Sequence, residues 1–185
     1  MRFPGSRCSR LPFRVTRSSP ASRPSLSFSR SARIRAASVT HRGPTLGYRI
    51  DDGGSSLTYI PDHEPALGAD IDRLDEDWIS GFALARDASM LIHDGQYADA
   101  EYPEHMGWGH SSLSHSLAFA RRTGAERTVL FHHDPLHSDE RLDRLSEEAR
   151  ERWAAMDGAR GTVELGEEGA EYELPSAVRS ATAAT

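Results

Sequence analysis

A layered α/β fold is the class this sequence predicts, and three observations predict it. Short apolar runs, SLTYIP, SMLIH and TVLFHH, read as strands. Between and after them lie HSSLSHSLAFARRTG and SDERLDRLSEEARERWAAM, whose apolar residues recur at helical spacing. Turn residues separate the two kinds of segment, including the paired glycines of DDGGS and Gly124 after the first helical stretch. Strands alternating with helices stack as layers around one core.

Taken in order, residues 1–40 are Arg, Ser and Pro with scattered Phe and Leu, without helical or alternating period. Such a composition buries too little apolar surface to offset chain ordering, so this segment is expected to be disordered. TLGYRI and SLTYIP follow as two strands joined by DDGGS. ADIDRLDEDWISGFALARD is expected to be a loop leading into a helix with Ile79, Phe82 and Ala83 on one face. SMLIHDGQY is a short strand ending in polar residues, and the next helix places Leu113, Leu117 and Ala120 toward the core before Gly124 stops it. TVLFHH is a further strand, SDERLDRLSEEARERWAAM a long amphipathic helix, and GTVELGEEGAEYEL a closing pair of short strands. The folded domain is thus expected over residues 41–175, with a disordered tail at 176–185.

Charge divides the chain in the same place. Residues 1–50 hold eleven arginines and no acid; residues 51–185 hold eleven arginines against all 28 acids, a balance of −17. The acidic folded part disfavours nucleic acid as a partner, and the arginine-rich segment lacks an ordered aromatic platform for it. A single cysteine, Cys8, excludes an intrachain disulfide and any multi-cysteine zinc site, consistent with a reducing, cytoplasmic location. No run approaches 18 apolar residues, so no membrane span is expected. Three readings of residues 1–40 remain: an organelle transit peptide, a basic nucleic-acid-binding tail, or translation from a wrong start ahead of the true coding region.

The histidines fall where α/β folds collect function. His93 and Asp94 follow SMLI, His132 and His133 follow TVLF, and Asp62 and His63 follow LTYIP, so three strand ends offer imidazole or carboxylate to one edge of the sheet. That donor mixture suits zinc, manganese or iron. Polar strand ends that merely meet solvent are the competing explanation, weaker for three coincident sites than for one.

THRGPTLGYRI, TYIPDHEP, ARDASMLIHDGQY, GWGHSSLSHSLAFA and TVLFHHDP, in this order, resemble the second half of a metallo-β-lactamase-fold hydrolase of the ribonuclease Z-like, phosphodiesterase-type branch. The resemblance runs from about residue 38 to 174. It implies the C-terminal half of a four-layer αββα sandwich and a site for two divalent ions, zinc first, with manganese or iron as alternatives. His41, Asp62 and His132 match the family's metal ligands, Asp62 as the bridge. His110, in its His-Ser-Ser context, matches the residue that protonates the leaving oxygen. His93, Asp94 and His133 would orient the ligands by hydrogen bonding. Two ions about 3.5–4 Å apart can share one carboxylate, acidify a water and clamp a phosphoryl oxygen. The implied substrate is a phosphodiester or small molecule, and a homo-oligomer is compatible.

One departure is large. The family's His-x-His-x-Asp-His motif, which supplies ligands to both ions from upstream, has no counterpart: no histidine precedes His41 and no acid precedes Asp51. The sequence therefore reads as a truncated hydrolase or an inactive binding protein of the same fold, and half a sandwich is expected to expose its inner apolar face. Sequencing of the DNA upstream is expected to find that motif encoded in some frame; several hundred bases without it would remove the truncation reading.

Overall fold

In the computed structural model, residues 14–16 and 32–174 are described. Their strands are β1 (Arg14–Thr16), β2 (Arg33–Ser38), β3 (Leu46–Asp52), β4 (Ser55–Ile60), β5 (Met90–Asp94), β6 (Arg127–Phe131), β7 (Thr162–Leu165) and β8 (Glu171–Glu173). The helices are α1 (Phe82–Ala85), α2 (Tyr102–His105), α3 (Leu113–Thr123) and α4 (Asp139–Ala155), with two 3₁₀ turns before α1. β2 to β7 form one sheet in sequence order, while β1 and β8 pair separately. This is the mixed α/β architecture expected.

The sheet begins antiparallel and becomes parallel. Gly53 and Gly54, with φ of 60° and 93°, turn β3 back onto β4 in the register Asp52↔Ser55 to Tyr48↔Tyr59. From β4 onward each strand adds parallel to the last, as crossover connections require. Ile60 is then level with His93, and Asp94 with Phe131, so the ends of β4, β5 and β6 open at one edge. The Gly-Tyr-Arg strand owes its composition to packing. Arg49 donates to the carbonyls of Leu84 and Arg86 (2.9 and 2.6 Å), to Ser56 Oγ and to Asp51, fastening the end of α1 to the sheet. A Cβ on Gly47 would lie 3.0–3.1 Å from Leu84, Ile60 and Val39.

α3 and α4 cover one face. Ser112 caps α3 by accepting from the His115 amide, Gly124 ends it in the left-handed conformation, and Ser138 caps α4 through the Arg141 amide. Leu142, Leu145, Ala149 and Trp153 repeat at helical spacing and are buried with Leu117, Phe119, Leu91 and Leu130. Burial of each large apolar side chain contributes roughly 1.5–3 kcal/mol. The opposite face buries Leu57, Met90, Ile92, Val129 and Phe131 together with Tyr172 of β8.

Four expectations need correction. Residues 33–38, placed in the disordered segment, form β2; all six are exposed, so the backbone ladder to β3 and the Arg35–Asp51 ion pair order them rather than apolar burial. Residues 14–16 likewise form a strand, whereas the rest of residues 1–31 and the expected tail at 176–185 lie outside the described residues. α1 is a single turn, with Ala83 exposed and Leu84 and Ala85 buried instead. β7 and β8 do not pair with each other: β7 extends the large sheet and β8 joins β1, which brings Tyr172 onto the face expected to lie open.

Candidate metal centre

Side-chain alternation along β5 decides which of its polar residues reaches the open edge. Asp94 does. Its carboxylate is fully buried and accepts from His110 Nδ1 (2.6 Å) and from the amides of His63 (3.1 Å), Gln96 (3.0 Å) and Ser111 (3.2 Å). Burial alone would raise its pKa, but hydrogen bonding and charge from His110 and His132 outweigh it and hold the carboxyl at about 2. Because Nδ1 of His110 is committed to Asp94, Nε2 is the nitrogen left for the open side of the ring.

Around that ring the other residues assemble. His132 stacks on His110 with centroids 4.8 Å apart, and His41 meets it edge-on at 5.1 Å. His132 Nε2 lies 3.3 Å from Asp62 Oδ1, and its Nδ1 3.6 Å from Asp94 Oδ2. Two groups of donor atoms result, His41–Asp62–His110 and Asp94–His110–His132, each with its atoms within 4.8 Å of one another. His132 takes a φ of 61°, a left-handed conformation that L-residues with a bulky side chain seldom adopt. Such strain concentrates at functional sites. Burial lowers the His132 pKa, but the neighbouring Asp94, with Asp62 and Asp134, more than reverses this and raises it.

The donor set fits a divalent ion in kind: imidazole nitrogens and carboxylate oxygens, converging from separate strand ends and loops, suit zinc, manganese or iron. The His41 ring is held at Nδ1, which accepts from the Gly43 amide at 3.2 Å and lies 3.0 Å from Thr45 Oγ1. The backbone of Gly109 presses against this ring, where a Cβ would come within 2.4 Å of His41 Cδ2.

Of the residues singled out by sequence, His41, Asp62, Asp94, His110 and His132 therefore come together; His93 and His133 do not. His93 points to the other side of β5, where its Nε2 is 2.8 Å from His63 Nδ1 and its ring stacks on Phe119. Both rings are fully buried. Burial lowers His93 to about 4 against the opposing charge of Asp94; it also holds His63 well below the usual imidazole value, with His93 adding to the effect. His133 is buried beside the Gly95 and Gly166 backbone, and burial lowers its pKa as well. Sequence reading missed Glu64, a fully buried carboxylate; a Glu two residues after a candidate ligand was the available signal.

The model of the β-lactamase superfamily domain matches residues 12–133 of this chain. The match begins well before residue 38, where the sequence motifs begin. Among individual proteins, ribonuclease Z of Mycobacterium avium (strain 104) is 31% identical over 145 residues, 73% of this chain and 45% of the relative. Ribonuclease Z of Myxococcus xanthus (strain DK1622) is 33% identical over 91 residues, covering 49% and 27%. The chain spans less than half the length of these relatives. In structure it resembles the short form of human tRNase Z, with a TM-score of 0.54 at 21% identity over 81% of this chain and 46% of that one. It also resembles the metallo-β-lactamase-fold protein YhfI from Bacillus subtilis, with a TM-score of 0.56 at 16% identity, covering 78% and 50%. No helix among the described residues is long and apolar enough to cross a membrane. With the motifs, the sheet and the family match in agreement, this chain belongs to the β-lactamase superfamily, as a metallo-β-lactamase-fold, ribonuclease Z-like member.

Proposed function

We propose that this chain carries the C-terminal ligands of a metal-dependent phosphodiester hydrolase, and that with these ligands alone it binds ions weakly and turns over negligibly. The observation that supports this reading is the convergence of His41, Asp62, Asp94, His110 and His132 into two donor groups sharing His110. His41 and Asp62 would serve one ion and His132 the other, with Asp62 between them; zinc is the first candidate. Held there, an ion would supply Lewis acidity toward a phosphoryl oxygen and acidify water. The chain's own residues do the rest. Asp94 fixes the His110 ring through Nδ1, so that Nε2, when protonated, is placed to deliver a proton to a departing oxygen.

Among phosphodiesters, the relatives named ribonuclease Z favour RNA, which the acidic composition had argued against. Trp108, 47% exposed, lies beside the site with the Arg42 guanidinium 5.5 Å from its ring centroid. That pairing suits the base and phosphate of a single-stranded nucleotide. The same surface supports a second reading, a protein that binds such a strand without cleaving it.

Metal analysis and kinetics separate the two. With His110 kept as the proton donor, each ion would have only two of the proposed ligands, and without the His-x-His-x-Asp-His ligands the remaining positions fall to water and leave the ions poorly fixed. After dialysis the chain is expected to retain well under two ions, and to hydrolyse bis(p-nitrophenyl) phosphate and short RNA negligibly. Turnover at ordinary enzyme rates, abolished both by chelator and by Asp62→Ala, would overturn the proposal of an incomplete site.

A further inference from the structure

We propose that Glu64 is a positioning residue: its buried carboxylate sets the placement of both His41 and His110 by clamping the glycine loop between them. Glu64 is fully buried, and three donors converge on it. Tyr102 Oη donates to Oε1 at 2.6 Å, the Gly107 amide to Oε1 at 2.8 Å, and the Gly109 amide to Oε2 at 2.8 Å. Two of the three come from the loop Gly107–Trp108–Gly109 that leads directly into His110.

The same residue reaches the other histidine by two routes. Its own amide donates to the carbonyl of Thr40 (3.0 Å), the residue before His41. Gly109, held by Oε2, lies so close to His41 that a Cβ there would stand 2.8 Å from His41 Cα and 2.9 Å from the Arg42 nitrogen. Its φ of +96° adds that only glycine sits there without strain. Glu64 thus ties the chain before His41 and the chain before His110 to one point, two residues beyond Asp62. A buried carboxylate accepting two loop amides is a stiff restraint, because charge-assisted hydrogen bonds are about twice as strong as neutral ones.

Glu64→Gln tests this, because the side chain keeps its shape and exchanges one acceptor oxygen for an NH₂ group. That NH₂ would face the Gly109 amide on one side or the Gly107 amide on the other, releasing one of them, whereas the Tyr102 hydroxyl can turn to accept from it. The inference rests on the reading of His41 and His110 as site residues, so two readouts are used. In the metal-free protein, the imidazole nitrogen–proton correlations of His41 and His110 are expected to shift in Glu64→Gln, while the indole signal of Trp153, remote and bonded to the Gly161 carbonyl, stays in place. Zn²⁺ affinity, measured by competition with a chromophoric chelator, is expected to fall about 10–100-fold, the usual effect of removing a group that orients ligands.

Unchanged His41 and His110 signals in a folded Glu64→Gln would overturn the proposal, as would a shift spread equally to Trp153. Should wild type bind no Zn²⁺ at all, the metal reading falls and the imidazole signals alone decide the role of Glu64. Should Glu64→Gln fail to fold, Tyr102→Phe removes one donor and decides instead: a smaller shift confined to the two histidines supports the clamp, and none overturns it.

Discussion

Asp94→Ala is expected to destabilise the fold by on the order of 3–5 kcal/mol, more than the loss of any proposed ion ligand on the site's outer side. The carboxylate is fully buried and is the acceptor for three backbone amides, those of His63, Gln96 and Ser111, and for His110 Nδ1. Alanine leaves all four donors facing a small cavity. Each buried donor stripped of its acceptor costs about 1–3 kcal/mol, and removing one partner of a buried charged pair about 3–5 kcal/mol. The loop joining β5 to α3 and the chain after β4 would lose their common anchor. Asp94→Asn should lose less, since its carbonyl oxygen still accepts. Asp62→Ala provides the contrast, because Asp62 is half-buried and pairs with His132 Nε2 at 3.3 Å. That change should shift stability by no more than about 0.5–1 kcal/mol while removing a proposed ligand. Urea unfolding of the three variants with chelator present checks the order. If Asp94→Ala unfolds within about 1 kcal/mol of wild type, the hub role assigned to its carboxylate is wrong.

This contrast marks where sequence reading succeeded and where it stopped. Asp62, Asp94 and His132 were legible because each follows an apolar run, and the ends of parallel strands are brought level by the ladder itself. The hairpin at Gly53–Gly54 and the end of α3 at Gly124 were legible because local chemistry determines them. His93 was not, since adjacent residues on a strand point to opposite faces and the apolar run SMLI is buried on both, concealing the alternation. His63 read as one of the donors offered at a strand end and proves to be sealed against Phe119. β2 escaped notice because pairing to β3, not burial, orders it, and composition reports only burial. Glu64 went unremarked because nothing local marks an acid as buried; only the fold shows that Gly107 and Gly109 turn their amides onto it.

The pair His63–His93 supports the other large expectation, a loss of stability in mild acid. Burial holds His93 at about 4 and His63 well below its ordinary value of 6.5, so the folded chain keeps both rings neutral. In the unfolded chain both titrate normally. Above about pH 6.5 neither state binds these protons and the stability is complete. As pH falls below 6.5 the unfolded state takes up protons that the folded state refuses, and each group removes about 1.4 kcal/mol per pH unit. For His93 the loss runs to about pH 4 and reaches on the order of 3 kcal/mol; His63 adds to it. Neighbouring groups act outside this window or in the same direction. Asp94, lowered to about 2, loses its contribution only below the ordinary carboxylate value of 3.8. His132, raised, contributes stability that is fully present below 6.5 and lost as pH climbs through its folded value. His115 and His133 are lowered by burial and steepen the acid loss. Urea midpoints between pH 7.5 and 4.5, in chelator, should therefore fall steeply for wild type. His93→Gln should fall less steeply, because one of the titrating rings is gone, even though its starting stability is lower. Equal slopes in the two proteins would mean that the buried pair is not what makes the fold sensitive to acid.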